Sequence, residues 1–212
     1  MTKPAAAPSE PPEPSRWLRW TLACTVGLAP AALAMPLFIS VDALPPMLRI
    51  LGLALFGAFE GLALGWAQAV VLTHDHMIRR RGPWVAATMM GSSIAYIVCA
   101  LGMARMPAPM TENLTPWVML YWGGHGALIG LAQWAVLRRD VLDACPWPVA
   151  SGLAWMVGQN LIYPSFAVVA AGAGAGILIV PRLMMGLLVG AVTGMSLVLL
   201  TEGREEMEES RL

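Results

Sequence analysis

Two ionisable residues, Glu60 and His125, occur inside long apolar stretches of the sequence. An ionised carboxylate in such surroundings must be paired, hydrated or protonated, and a carboxylate–imidazole pair would satisfy both groups. Such a pair can relay protons or ligate a metal or a pigment. Alternatively, a neutral Glu60 donates a hydrogen bond to a backbone carbonyl of a neighbouring helix and only fixes packing. The residues favour neither hypothesis over the other.

These two residues occupy equivalent positions in a repeated segment. Residues 60–72 and 125–137 both read polar-Gly-x-x-x-Gly-x-x-Gln-x-x-x-Leu. A third, weaker copy over residues 189–197 keeps the glycine spacing, but Val189 and Leu197 stand at the two polar positions. In a chain built from repeats, we expect chemistry where two copies kept polar groups that the third lost.

Further polar side chains lie in the same apolar stretches. Gln68 and Gln133 are the second polar positions of the two copies, and interhelical hydrogen bonds that lock the helix register explain them most simply. Gln159 and Asn160 are adjacent, and Pro164 frees a backbone carbonyl about one turn earlier. Broken helices form transporter sites in this way, and ordinary kinked helices do the same. The polar intramembrane candidates are therefore Glu60, His125, Gln68, Gln133, Gln159 and Asn160.

The composition indicates a membrane protein. Hydrophobic residues make up 58% of the chain and charged residues only 12%, whereas about a quarter of a soluble domain is charged. Six apolar stretches reach the ~20 residues that a spanning helix needs, at residues 17–40, 48–73, 83–104, 116–137, 147–170 and 177–201. We expect an all-α, polytopic membrane protein with a disordered Pro-rich tail (1–16), a transmembrane domain (17–201) and an acidic tail (202–212).

Similarities between helices predict how the six spans are related. The even-numbered helices share the glycine repeat, and the odd-numbered third and fifth share a Gly-polar-polar-x-x-Tyr segment at residues 91–96 and 158–163. The simplest description is three tandem two-helix hairpins, related by a pseudo-threefold axis along the membrane normal.

Glycines at four-residue spacing form a flat stripe on each even-numbered helix. Lipid supplies no hydrophobic drive between helices, so such stripes mark faces where backbones approach closely. We expect the even-numbered helices to pack tightly, as an inner ring. The helix-packing glycines are Gly57, Gly61, Gly65, Gly126, Gly130, Gly186, Gly190 and Gly194.

The distribution of arginines predicts the orientation. Residues 79–81 and 138–139 are all arginine, whereas the opposite loops carry one arginine each, Arg49, Arg105 and Arg182. By the positive-inside rule, both termini are cytoplasmic. We interpret the basic loops as topology signals rather than lipid or nucleic-acid sites. Seven tryptophans near the span ends are typical of an aromatic belt: Trp17, Trp20, Trp66, Trp84, Trp117, Trp134 and Trp147.

The string Gly-x-x-x-Gly-x-x-Gln-Trp-x-Val-Leu-Arg-Arg, from Gly126 to Arg139, resembles a motif that recurs in small uncharacterised bacterial multi-pass membrane proteins. The match covers the fourth span strongly and the second partly, because Ala69 replaces the tryptophan. This resemblance implies a location in the bacterial cytoplasmic (inner) membrane and implies no activity.

Two functions are compatible with these features. The first is a structural or assembly subunit whose partners are the lipid bilayer and other membrane-protein subunits or a second copy, with no role for nucleic acid. The second is a small transporter or channel with Glu60, His125, Gln159 and Asn160 along a polar path. No nucleophile–base pair, metal triad or phosphate loop is visible, so we expect no enzyme, no catalytic residues and no metal site. His74-Asp75-His76 is best explained as a solvated helix end, and no cofactor is specified.

Overall fold

The computed structural model describes residues 14–39, 44–103, 116–141, 144–170 and 174–209. It contains α1 (Arg16–Ile39), α2 (Pro46–His74), α3 (Arg81–Met103), α4 (Pro116–Leu137), α5 (Trp147–Ala170) and α6 (Ile179–Glu209), with a short 3-10 helix, Ala175–Leu178, before α6. The helices coincide with the six predicted apolar stretches, and the all-α class is confirmed. The backbone of α6 continues into the predicted acidic tail, and most of the Pro-rich tail lies outside the described residues.

Long apolar helices give this fold the character of a membrane protein. Among the described residues, Pro46–His74, Arg81–Gly102 and Gly176–Thr201 are long and apolar enough to cross a bilayer. Large apolar side chains also cover the outside of the bundle, where Val26, Leu55 and Leu199 are each more than half exposed. In water such a surface would be a liability, whereas in lipid it is the ordinary outer face of a helix.

The six helices form a closed ring. Each helix packs against its neighbours in chain order, and α6 closes the ring against α1. The most extensive contacts join α2 with α3, α4 with α5, and α6 with α1. This arrangement encloses a common interior, into which one face of every helix points.

The glycine stripes lie in these three extensive contacts. A Cβ added to Gly61 would lie 2.6 Å from the Cα of Met89 in α3, and one added to Gly130 or Gly190 would lie 2.8 or 2.7 Å from a Cα of α5 or α1. The remaining stripe glycines meet the same neighbours: Gly57, Gly65, Gly126, Gly186 and Gly194. The prediction of an inner ring of even-numbered helices was therefore wrong, because an odd-numbered helix packs against each glycine stripe.

Candidate functional site in the helix interior

Glu60 of α2 is fully buried and forms an ion pair with Arg182 of α6. The Nη2 of Arg182 contacts the Oε2 of Glu60, and the hydroxyl of Tyr96 in α3 donates a hydrogen bond to the same oxygen at 3.2 Å. The side chains are 1% exposed for Arg182 and 0% for Glu60. Each charge therefore depends on the other for compensation, because removal from water is costly for both.

The guanidinium of Arg182 also ties α6 to the helix on its other side. Its Nε donates to the backbone carbonyl of Leu28 in α1 at 3.5 Å. Interpreting Arg182 as a loop residue that reports topology was wrong. The sequence did carry a signal, because Arg182 lies within the apolar stretch 177–201 and a buried arginine there requires a carboxylate partner. Glu60 is the carboxylate that an apolar stretch of another helix supplies.

His125 of α4 lies in an aromatic and sulfur-lined pocket beside this pair. Its ring centroid lies 4.7 Å from that of Tyr96 and 4.9 Å from that of Trp155. The Sγ of Cys99 lies 3.4 Å from its Nδ1. Among the described residues, no hydrogen-bond partner lies at its Nε2, and the residue is 1% exposed.

Tyr96 therefore stands between the two residues that the repeat singled out. Its hydroxyl binds Glu60, and the edge of its ring meets His125. The direct Glu60–His125 pair, one of the two hypotheses, does not form, because the permanently charged guanidinium of Arg182 compensates the buried carboxylate instead.

An apolar groove between α3 and α4 reaches the imidazole. It has a volume of about 330 Å³, and its walls include Val98, Cys99, Leu120, Gly124, His125 and Leu131. Leu120 and Leu131 are 60% and 48% exposed, so this groove opens on the outer side of the bundle. His125 lies at the inner end of this groove, where neighbouring side chains cover it to 1% exposure.

Three tryptophans fill the other half of the interior. Trp20, Trp84 and Trp147, from α1, α3 and α5, meet edge to face with ring centroids 5.7 to 6.4 Å apart, and all are 0% exposed. The aromatic-belt interpretation was therefore wrong for these three residues. It fits Trp66, which is 60% exposed. Position near a span end does not determine whether an indole faces lipid or the interior.

Each of the three indoles forms a hydrogen bond with the even-numbered helix that packs most extensively against the helix carrying that indole. The indole N–H groups of α3, α5 and α1 donate to Gln68, Gln133 and Thr193 at 3.3, 3.0 and 2.8 Å. Thr193 thus takes the place of the glutamine in α6. The third copy of the repeat is therefore displaced by one helical turn from the register that put Leu197 there.

The two glutamines also bind each other. The Nε2 of Gln133 donates to the Oε1 of Gln68 at 2.9 Å and to the hydroxyl of Thr88 at 3.1 Å. The Nε2 of Gln68 lies 3.4 Å from the Sγ of Cys24. This network joins α1, α2, α3 and α4, which is what interhelical hydrogen bonds that lock register would do.

The adjacent amides of α5 have separate surroundings. Gln159 is buried, at 3% exposed. The Nδ2 of Asn160 donates to the carbonyl of Met156 in the preceding turn at 2.6 Å. The helix runs without a break from Trp147 to Ala170, so α5 does not have the interrupted form that transporter sites use.

A second buried carboxylate, Asp75, lies just beyond the end of α2. It accepts hydrogen bonds from Arg19 at 2.7 Å, His74 at 3.0 Å and Arg16 at 3.1 Å. Burial raises the pKa of Asp75, but the hydrogen bonds from His74 and Arg19 and the two arginine charges outweigh it and hold that pKa below its ordinary value. Arg16 also donates to Thr201 of α6 at 2.7 Å, so Asp75 and Arg16 together connect α1, α2 and α6.

Comparisons of this chain with protein-family models, curated proteins and solved structures found no match. In the part of the chain that the structure describes, no group of three or more His, Cys, Asp or Glu side chains is placed to hold a metal ion. The interior cluster must therefore be interpreted from its own geometry.

Proposed function

We propose that this chain is a structural or assembly subunit of a complex in a bacterial cytoplasmic membrane. In this proposal all six helices span the bilayer, as three tandem hairpins with pseudo-threefold symmetry, and both termini are cytoplasmic. Its partners are other membrane-protein subunits or further copies of itself.

Recurring contacts support the threefold arrangement. The same indole-to-polar hydrogen bond occurs at three helix pairs, and each of those pairs also contains a close glycine contact. Alternation of extensive and lesser contacts around the ring follows the same period. Three hairpins inserted in the same direction would produce this pattern.

A filled interior is the observation that carries the structural role. Fully buried large side chains occupy the space that a conduit would need: Trp20, Trp84, Trp147, Trp155 and Arg182. The charge of Arg182 is compensated by Glu60. Arg182 therefore offers no uncompensated positive charge that could bind a transported ion. A closely packed bundle with an apolar exterior is suited to supporting neighbouring subunits rather than to moving a solute.

Purification from the native membrane tests this proposal. The chain, tagged at its amino terminus, is extracted in a mild detergent, and its particle mass is measured by light scattering after size exclusion. We expect a particle that contains further subunits in fixed ratio. A monodisperse particle holding a single copy, obtained also after cross-linking in the intact membrane, would contradict a subunit role.

One observation favours a second function, a small transporter or channel with a protonatable path. Glu60, Arg182, Tyr96 and His125 form a cluster of ionisable groups in the bundle interior, and such groups commonly mark ion or proton pathways. Proteoliposomes that enclose a pH-sensitive dye distinguish the two functions. The structural role predicts proton leakage equal to that of protein-free vesicles, and transport predicts a leak that Glu60→Gln abolishes.

A further inference from the structure

A basic cleft lies where the α2–α3 connection meets the end of α4. It has a volume of about 460 Å³, and three arginines, Arg79, Arg80 and Arg139, lie in its walls together with Asp140. The Nε of Arg79 lies 3.6 Å from a carboxylate oxygen of Asp140. Three guanidinium groups against one carboxylate leave the cleft with an excess of positive charge.

Two neighbouring arginines are occupied elsewhere, although they look identical in the sequence. The Nε of Arg81 donates to the hydroxyl of Thr73 at 3.0 Å. The guanidinium of Arg138 lies over the ring of Trp134, 4.6 Å from its centroid, a cation–π contact. The structure thus divides the arginine runs 79–81 and 138–139 into three residues that line the cleft and two that do not.

Apolar side chains complete the cleft wall. Ile78, Pro83 and Val136 lie beside the arginines, and the apolar surface comes from the exposed Pro83 and the half-buried Val136, since Ile78 is buried. A site for a free inorganic anion would not need apolar side chains in its wall. A phospholipid has both a phosphate, which guanidinium groups bind through paired hydrogen bonds, and a glycerol and acyl region that packs against apolar side chains.

We propose that this arginine cleft binds the headgroup of an anionic phospholipid. The inference rests on the membrane-spanning arrangement proposed above, which sets the ends of α2 and α4 at the level of the headgroups. Basic pockets between transmembrane helices on the cytoplasmic side hold such lipids. The arginines of these loops then act in lipid binding in addition to orienting the chain.

Native mass spectrometry of the purified full chain tests the site. The protein in uncharged detergent is titrated with phosphatidylglycerol, with phosphatidylcholine, and with glycerol phosphate as a soluble headgroup. The triple variant Arg79→Gln/Arg80→Gln/Arg139→Gln is compared, per charge removed, with the double variant Arg81→Gln/Arg138→Gln. Orientation of each variant is first verified by thiol labelling, since arginines also influence insertion.

We expect the parent to bind phosphatidylglycerol more tightly than phosphatidylcholine. The triple variant should lose about fivefold in affinity per arginine removed, and the double variant should keep the parent affinity. Equal losses per charge removed in both variants would reduce the effect to non-specific surface charge and overturn the proposal. Displacement of the lipid by glycerol phosphate at similar concentration would identify a soluble phosphate site and overturn it as well. Neither result depends on whether the chain purifies alone or in a complex.

Discussion

At the level of single residues, the central feature is a buried charge pair between helices distant in the sequence. Glu60 and Arg182 are separated by most of the chain, and each would be intolerable in the interior without the other. Tyr96 adds a hydrogen bond to the carboxylate and brings His125 into the same cluster. The effect of a substitution at position 60 on the stability of the protein therefore depends on the residue at position 182.

A double-mutant cycle tests this coupling. Glu60→Leu or Arg182→Met alone should destabilise the protein by about 3–5 kcal/mol, because each leaves one buried charge uncompensated. The double variant Glu60→Leu/Arg182→Met should be close to the parent in stability, since apolar side chains replace both charges.

Thermal unfolding in detergent, with unfolding free energies compared among the four proteins, measures the cycle. Arg80→Gln removes an exposed charge and serves as the control, with an expected change within about 0.5 kcal/mol. Additive losses in the double variant would show that the two side chains are not coupled.

At the level of helices, contacts between helix pairs depend on missing side chains. The stripe glycines allow an even-numbered helix to approach its neighbour until backbone atoms nearly touch. Other glycines of the same helices have no such role: a Cβ on Gly124 would have nothing within 4 Å. The side of the helix on which a glycine lies, rather than the number of glycines, decides whether that glycine allows a close helix contact.

The pair Gly126→Ala and Gly124→Ala provides a matched test within α4. A Cβ on Gly126 would lie 2.6 Å from the carbonyl oxygen of Ser151 and would also meet Trp155 of α5. We expect Gly126→Ala to cost about 1–3 kcal/mol through overpacking. Gly124→Ala should be neutral or stabilise slightly, because alanine favours the helix more than glycine does. Equal midpoints of thermal unfolding for the two variants would contradict the close α4–α5 contact.

The surroundings of Asp75, the carboxylate just beyond the end of α2, predict how the stability of the protein depends on pH. The pKa of Asp75 is lower in the folded protein than its ordinary value, so its contribution is present above about pH 4 and is lost as the pH falls through the folded-state pKa. Asp75→Asn should therefore lower the unfolding temperature at pH 7 and lessen the loss on acidification. Asp140→Asn, which removes a more exposed carboxylate, should change neither. Parallel pH profiles for Asp75→Asn and the parent would exclude this contribution of Asp75.

At the level of the whole molecule, the proposed orientation predicts which positions are reachable from each side. Cysteines introduced at Glu10 and Glu208 should be shielded from an impermeant thiol reagent in intact cells, and cysteines at Asp42 and Asn113 should react. Positions 10, 42 and 113 lie outside the described residues. Cys145→Ser is the background, because Cys145 is the exposed native cysteine of the described chain. Labelling at 208 but not at 10 would require an odd number of spans.

Much of the architecture was determined by the sequence alone. Apolar runs of spanning length predicted where the six helices lie, although α6 extends beyond its predicted end at residue 201, because a helix's own length and hydropathy are local properties. The repeat likewise singled out Glu60, His125, Gln68 and Gln133, and all four are buried in the structure. The spacing shared by the two copies is sufficient to identify Glu60 with His125, and Gln68 with Gln133, as equivalent positions.

Only the tertiary structure decided which helix packs against each polar or glycine-bearing helix face. The same periodicity is compatible with Glu60 beside His125 or beside Arg182, and with a glycine stripe against an even-numbered or an odd-numbered helix. Trp20, Trp84 and Trp147 would satisfy an aromatic belt equally well until their helices turn them inward. Partner choice depends on how the ring closes, with α6 against α1. That closure arises from contacts between residues far apart in the chain, which local spacing does not encode.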